Sequence, residues 1–218
     1  MGTQSTTGRA NQKLRTRTAI VQAAAELSRT GQEVTMPEVA RKALVSEATA
    51  YRYFPDLLSL LREAIAGQLP TAAEALRPVA GSADPVERVA AATEFLLRHV
   101  LARQGVVRAM IAATVVRPAE AAARPGLRFG LIDHALAPAA ESGAVGHAAL
   151  DQLKRDLAVV VSADALFSLI DLNGLAPEDA ISSLLHTATT LTRAALRDDR
   201  RAESSDGPGT TAHLEMAD

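Results

Sequence analysis

The sequence predicts an all-α protein. Apolar residues recur at three- and four-residue spacings, and much of the 48 % apolar fraction is alanine, a strong helix former. No stretch alternates with period two long enough to build a sheet, and the one strand-like run, Val159-Val160-Val161, lies inside a helical period. The 218 residues leave room for a small domain joined to a larger one.

The elements follow in order. Residues 1–12 are polar and basic and read as an unstructured arm. A helix is expected over residues 13–29, with Ile20, Ala23, Ala24 and Leu27 on its apolar face and Gly31 ending it. Thr35 opens a second, short helix, because Glu38 three residues on completes a capping box and Pro37 is harmless in a first turn. Ser46 caps a third helix, which runs to Phe54 with Glu47 near its positive end. Pro55-Asp56 breaks the pattern, and a connecting helix is expected from Leu57 to about Leu76, within a segment 57–78.

A larger helical domain is expected over residues 79–202. Asp84 and Pro85 start its first helix, which ends near Gln104-Gly105. Helices over 106–116 and 126–141 follow, then two long ones over 148–170 and 177–197 separated by Asn173-Gly174. Residues 203–218 are rich in Ser, Gly, Thr and Asp and read as a disordered tail. There is no internal repeat.

Composition excludes several functions. Without cysteine there is no disulfide, thiolate catalysis or cysteine-ligated zinc, and aromatics at 3 % provide no stacking platform for single-stranded nucleic acid. No run of 18 apolar residues is free of charges or strong breakers, and the polar, basic start reads as neither signal peptide nor membrane span. A soluble cytoplasmic protein is expected, with no membrane partner. Residues 1–62 carry nine Lys/Arg against five Asp/Glu, whereas the remainder is acidic. A basic front on an acidic body orients a protein toward a polyanion.

The chemistry concentrates in residues 35–54. Two short helices joined by about four residues form a helix-turn-helix, in which the first braces the second for a DNA major groove. Ala40 is small enough for the crossing, Val45 plugs the turn, and Ala50 and Phe54 face inward. Glu47, Ala48, Thr49, Tyr51 and Arg52 are left for the groove or its rims, with Tyr53 at the edge. Thr49, Tyr51 and Tyr53 suit phosphates; Arg52 suits the O6/N7 edge of guanine or a phosphate; Glu47 suits a cytosine amino group. Lys13 and Arg17 at the head of the first helix can add phosphate contacts. By spacing alone, a packed helical corner with ordinary surface Thr and Tyr fits equally.

The string RTRTAIVQAAAELSRTG, followed by TMPEVARKALVSEATAYRYFPDLLSLLREAI, resembles the N-terminal DNA-binding region of the TetR family of transcriptional regulators. The most specific part is VSEATAYRYF with Val39-Ala40 upstream, and the resemblance covers about residues 13–65. It implies a DNA-binding domain over 13–56, a homodimer on double-stranded DNA with two-fold operator symmetry, and a C-terminal domain that binds a small molecule. It places Thr35 and Met36 against the backbone or groove edge, Glu47, Ala48 and Arg52 toward bases, and Thr49, Tyr51 and Tyr53 on phosphates. Ser46 joins these candidates at the same helix end.

Two positions depart from the family pattern. Leu44 replaces a frequent glycine before the turn, and since leucine tolerates positive φ poorly, another backbone conformation is expected there. Leu57 replaces a frequent phosphate-binding lysine, leaving the N–H groups of the helix start as the anion site.

In the C-terminal domain, Leu150, Leu153, Leu157, Val160, Val161 and Leu166 face one way on the first long helix. Ile181, Leu184, Leu185, Ala188, Leu191 and Ala195 form a stripe on the second. These faces are expected to form a dimeric four-helix interface. Candidate ligand residues are Phe95, His99, Arg103, Met110, Thr114, Phe129, Asp133 and His134, a mix of apolar wall and orienting polar groups. A hydrophobic or amphipathic effector is expected, with no cofactor and no metal.

No HExxH, GxSxG, GxxxxGK or GxGxxG motif is present, so no enzyme is expected. The leading reading is a repressor released from its operator by that effector. Two others stay open: a helical ligand-binding protein or enzyme without DNA binding, and an effector-independent DNA binder or activator.

Overall fold

The computed structural model describes residues 4–31, 33–65, 69–116, 127–143 and 145–205, and among them every regular element is helical. The N-terminal unit comprises α1 (Gln4–Leu27), α2 (Met36–Lys42), α3 (Glu47–Tyr53) and α4 (Leu57–Ile65). Next come α5 (Ala72–Ala75), α6 (Pro85–Ala102), α7 (Gln104–Val116), α8 (Leu127–Glu141), α9 (His147–Val160), α10 (Ala163–Phe167) and α11 (Pro177–Ser205). A π-turn, Ser168–Leu172, follows α10.

Several expected boundaries move. Helix α1 begins at Gln4, so residues 4–12, expected as an unstructured arm, continue the helix. The connecting helix expected to reach Leu76 stops at Ile65, and α5 starts afresh behind Thr71. Thr71 accepts from the Glu74 N–H at 3.2 Å while the Glu74 carboxylate accepts from the Thr71 N–H at 2.8 Å. This capping box makes a second helix start. Helix α6 ends at Ala102, and Gly105 lies inside α7 rather than ending its predecessor.

The helix expected over 148–170 is interrupted at Val161-Ser162, because Ser162 caps α10 by accepting from the Ala165 N–H at 3.1 Å. Helix α11 runs to Ser205, three residues into the segment read as a tail. Residues 119–124, 206–218 and the Phe129 side chain lie outside the described residues.

Two cores form. The N-terminal one gathers Ile20, Ala24, Val39, Ala40, Ala50, Phe54, Leu60 and Leu61, and is completed by Val106 and Met110 of α7. The C-terminal one gathers Leu76, Leu97, Leu131, Leu136, Leu157 and Leu166 with Ala180 and Ala188. There α6 packs on α8 and α11, and α9 packs on both of those. Helices α6 and α7 meet at a bend of 92°. Helix α7 thus crosses from one core toward the other. On its far side Arg108 pairs with Asp171 of the π-turn, and its guanidinium lies 3.9 Å from the Phe167 ring centroid. The pair raises the Arg108 pKa and lowers that of Asp171, mainly through the shared hydrogen bonds.

Arg88 is a charged residue buried at the C-terminal core, at 4 % exposure. Its guanidinium donates to the carbonyls of His134 (2.7 Å), Ala135 (3.0 Å), Val79 (3.0 Å) and Ser82 (3.3 Å). The His134 carbonyl needs such a donor, because four residues on stands Pro138, inside α8 and without an N–H. The arginine answers a vacancy that the proline creates.

The faces expected at a dimer interface are largely used within the protomer. Leu150, Leu153, Leu157, Val161, Leu166, Ile181, Leu184 and Ala188 are all buried in the core, and Val160, Leu185, Leu191 and Ala195 are partly buried against it. On the same segments, Val159 and Leu172 stay exposed. Among the described residues no single helix is long and apolar enough to cross a membrane; α6 and α7 pass that test together only as the bent pair.

Candidate nucleic-acid interface

The helix-turn-helix is built from local rules. Thr35 caps α2: its hydroxyl accepts from the Glu38 N–H at 3.4 Å, and the Glu38 carboxylate accepts from the Thr35 N–H at 3.2 Å. Ala40, at 1 % exposure, stands in the core that α2 and α3 share. Ser46 caps α3, its Oγ accepting from the Thr49 N–H at 3.2 Å and lying 2.9 Å from the Thr49 hydroxyl.

The turn contradicts the expectation for Leu44. Its φ is +57°, the left-handed conformation in which glycine is at ease. Leu44 donates its N–H to the Arg41 carbonyl (3.2 Å) and Val45 donates to that of Ala40 (3.0 Å). These are the two bonds of a Schellman helix end, with leucine in the glycine position. Val45 packs on the N-terminal core and fixes the chain's exit, while the Leu44 side chain stands 92 % exposed. The turn adopts this left-handed geometry at a cost in strain of about 1–3 kcal/mol.

What α3 offers outward is therefore well defined. Ser46, Glu47, Ala48, Tyr51 and Arg52 are exposed, and Thr49 and Tyr53 are half-buried. The Arg52 guanidinium lies 5.7 Å from the Tyr53 ring centroid and meets no acid among the described residues. Lys13 of α1 and Arg41 of α2 are likewise exposed, without an acidic partner among the described residues. Arg41 did not figure in the sequence reading, where only its place in the last turn of α2 could have marked it.

Three other candidates are placed differently. Met36 is 3 % exposed inside the N-terminal core and has no surface to offer DNA. Arg17 forms a two-pronged ion pair with Glu63 of α4 and lies 5.0 Å from the Phe54 ring centroid, so it ties α1 to α4. At Leu57 the expected anion site is already taken. The Asp56 carboxylate accepts from the Ser59 N–H at 2.7 Å and puts a negative charge on the start of α4.

The ligand candidates divide. Phe95 and His99, one turn apart on α6, come together with Arg103, the residue that caps its C-terminal end. The Phe95 and His99 rings stack with centroids 5.8 Å apart, and the Arg103 Nη1 lies 3.2 Å from the His99 Nδ1. Burial, and then the charge of Arg103, lower the His99 pKa. Met110 belongs to the N-terminal core. Thr114 is buried, with its hydroxyl turned back to the Met110 and Ile111 carbonyls. Asp133 is exposed and pairs with Lys154 at 2.8 Å, and His134 offers its backbone carbonyl to Arg88. An open groove of about 370 Å³ between α7 and the π-turn is lined by Ile111, Phe167, Leu172 and the Arg108–Asp171 pair, and holds none of these candidates. Among the described residues no three His, Cys, Asp or Glu are grouped to hold a metal.

Residues 19–64, which span α2, α3 and α4 and most of the buried face of α1, match the family model described as bacterial regulatory proteins, tetR family. No curated protein and no solved structure matches the chain. The capped pair α2–α3, its exposed recognition face and this match agree: residues 19–64 form an N-terminal DNA-binding domain of the kind found in bacterial regulatory proteins of the tetR family.

Proposed function

We propose that the protein is a repressor that binds a two-fold DNA operator as a homodimer and is released by a small apolar or amphipathic ligand. The observation that carries the DNA reading is the outer face of α3, where Tyr51 and Arg52 stand exposed on a helix fixed by Ser46 and the Schellman turn. In this reading the DNA-binding domain spans residues 13–56, residues 57–78 connect, and residues 79–202 take the effector and the partner protomer. Arg52 and Glu47 address bases, Tyr51, Thr49 and Tyr53 address phosphates, and Lys13 adds charge at the rim.

A dimer suits one short recognition helix, since two half-sites double the contacts. The exposed Val159 and Leu172 mark the surface of the C-terminal helices that a second protomer would cover. Release would work through α4, which packs on α1 and on α7, so that a ligand favouring another position of α7 changes the spacing of the recognition helices.

Binding to DNA selected from a random pool tests the interface. Arg52→Ala is expected to cost about 1–3 kcal/mol on the selected site and to relax sequence preference. Tyr51→Phe should weaken selected and random DNA alike, and Lys13→Ala should lower the salt slope by about one charge per half-site. Unchanged affinity in all three variants would refute the assignment. Operator affinity that no bound ligand alters would refute release.

A further inference from the structure

Helix α1 is longer than its packing requires. Its backbone is helical from Gln4, whereas its buried face begins at Ile20. Gly8 and every residue from Ala10 to Arg15 are exposed, on all sides of the helix. A turn that buries no face draws no stability from the core, which is where most helices in proteins obtain it.

The charge of this stretch is of one sign. Up to Ala25 the chain carries Arg9, Lys13, Arg15 and Arg17 and no acid. Cations in the first part of a helix oppose its dipole, and Lys13 and Arg17, four residues apart, repel each other. A polyanion laid against the helix turns that repulsion into attraction. A lipid surface does not fit, because from Ala10 to Thr16 only Leu14 is large and apolar, and a helix lying in a membrane interface needs an apolar stripe.

Arg17 shows which side of the helix is involved. It pairs with Glu63 of α4, and its guanidinium lies 5.0 Å from the ring centroid of Phe54, the residue that ends α3. The Arg17 side of α1 therefore adjoins the end of the recognition helix. Lys13, one turn further out, stands on that same side, and Arg9 repeats the four-residue spacing in the sequence. Arg15, two residues from Lys13, lies about 200° round the helix.

We propose that residues 4–15 of α1 are a second DNA-contacting element, a helical arm laid along phosphates outside the stretch that α3 covers, with Lys13 on the DNA side. At about 1.5 Å per residue the arm runs about 18 Å, the length of about five base steps. It meets the backbone and no base edges, so it adds affinity without sequence preference. This rests on the reading of α3 as the recognition helix and extends the contact beyond it.

The test compares the full-length protein with a variant lacking residues 2–12 and with Lys13→Gln, Lys13→Arg and Arg15→Gln, on selected and on random DNA. In hydroxyl-radical footprints the full-length protein is expected to protect sugars on either strand outside the stretch that the shortened protein protects. Lys13→Gln should lower the slope of log affinity against log salt by about one per half-site on both DNAs, and the deletion, which removes Arg9, should do the same. Lys13→Arg should keep the full slope, and Arg15→Gln should change it least. A shortened protein, folded by circular dichroism, with the full-length footprint and slope would overturn the proposal. Equal effects of Arg15→Gln and Lys13→Gln would overturn it too, since general charge rather than a contacting face would then be at work. So would a deletion that alters the oligomeric state and leaves the slope alone, which would assign the arm to the acidic body of a second copy. The shortened protein keeps α3, so any of these results with site preference retained refutes the arm alone; a full-length protein that retains no DNA refutes both readings.

Discussion

The two cores use the same aliphatic side chains and handle polar groups differently. Around the N-terminal core, polar side chains end helices: Thr35 caps α2, Ser46 caps α3 and Asp56 caps α4. Its buried hydroxyl, Ser28, bonds the carbonyl of Ala24 one turn back. Each of these partners lies within four residues. In the C-terminal core, Arg88 reaches carbonyls 46 and 47 residues away, and beside that core the buried His99 Nε2 has no partner among the described residues. The helix ends of the small domain are therefore set by local chemistry, whereas the buried guanidinium of the large one needs partners that only the folded chain brings together.

Four experiments sharpen or break this contrast. The largest effect is expected where the cores touch. Met110→Ala should cost about 2–5 kcal/mol, as a cavity in a packed core does. Both tyrosines, Tyr51 and Tyr53, lie in the N-terminal domain and the chain has no tryptophan, so tyrosine fluorescence follows that domain alone. If the cores are joined through α7, the fluorescence and circular dichroism transitions shift together in urea; a shift in fluorescence alone would separate them.

Next comes Arg88→Met, expected to cost about 2–3 kcal/mol because buried carbonyls lose their donor. Its cost should shrink in a Pro138→Ala background, where residue 138 can again donate to the His134 carbonyl; equal costs in both backgrounds would remove the proposed link. Leu44→Gly should add about 1 kcal/mol, relief of left-handed strain less the entropy of glycine. A loss of stability would mean that the Leu44 side chain makes a contact that outweighs the strain.

The smallest effect concerns acid. The folded His99 has a pKa below the ordinary 6.5. As pH falls through that value the unfolded chain takes up a proton that the folded one resists, so stability is lost from there down to the folded pKa, and is fully present above. His99→Gln should flatten the stability profile below about pH 6.5; an unchanged slope would assign the loss to other groups.

The same contrast explains what could be read beforehand. The helix-turn-helix was legible because its signals are short-range: Thr35 to Glu38, Ser46 to Thr49, a small residue at the crossing. Leu44 shows where a local rule fails, since two backbone bonds and the packing of Val45 override the preference of one side chain. Met36 was misplaced because its sequence position does not reveal which side of α2 is covered. The break after Ile65 was legible in Thr71 and Glu74, but an apolar period running through it masked the signal. For Phe95, His99 and Arg103 the shared face followed from spacing. The stacking of the Phe95 and His99 rings, and the approach of Arg103 to the His99 Nδ1, did not.

The contribution of α7 to the N-terminal core bears on how such a protein can be taken apart. Met110 and Val106 are separated by more than forty residues from the last residue of α4, yet they close its hydrophobic interior. The head is modular as a stretch of sequence but incomplete as a solid. A chimaera that grafts residues 1–65 onto a different helical body would inherit a hole where these two side chains stand, and would need a crossbar of matching shape to refill it. During synthesis the head must likewise wait for residue 110 to emerge before its interior can set, so the part that meets DNA is completed only after part of the body has been made.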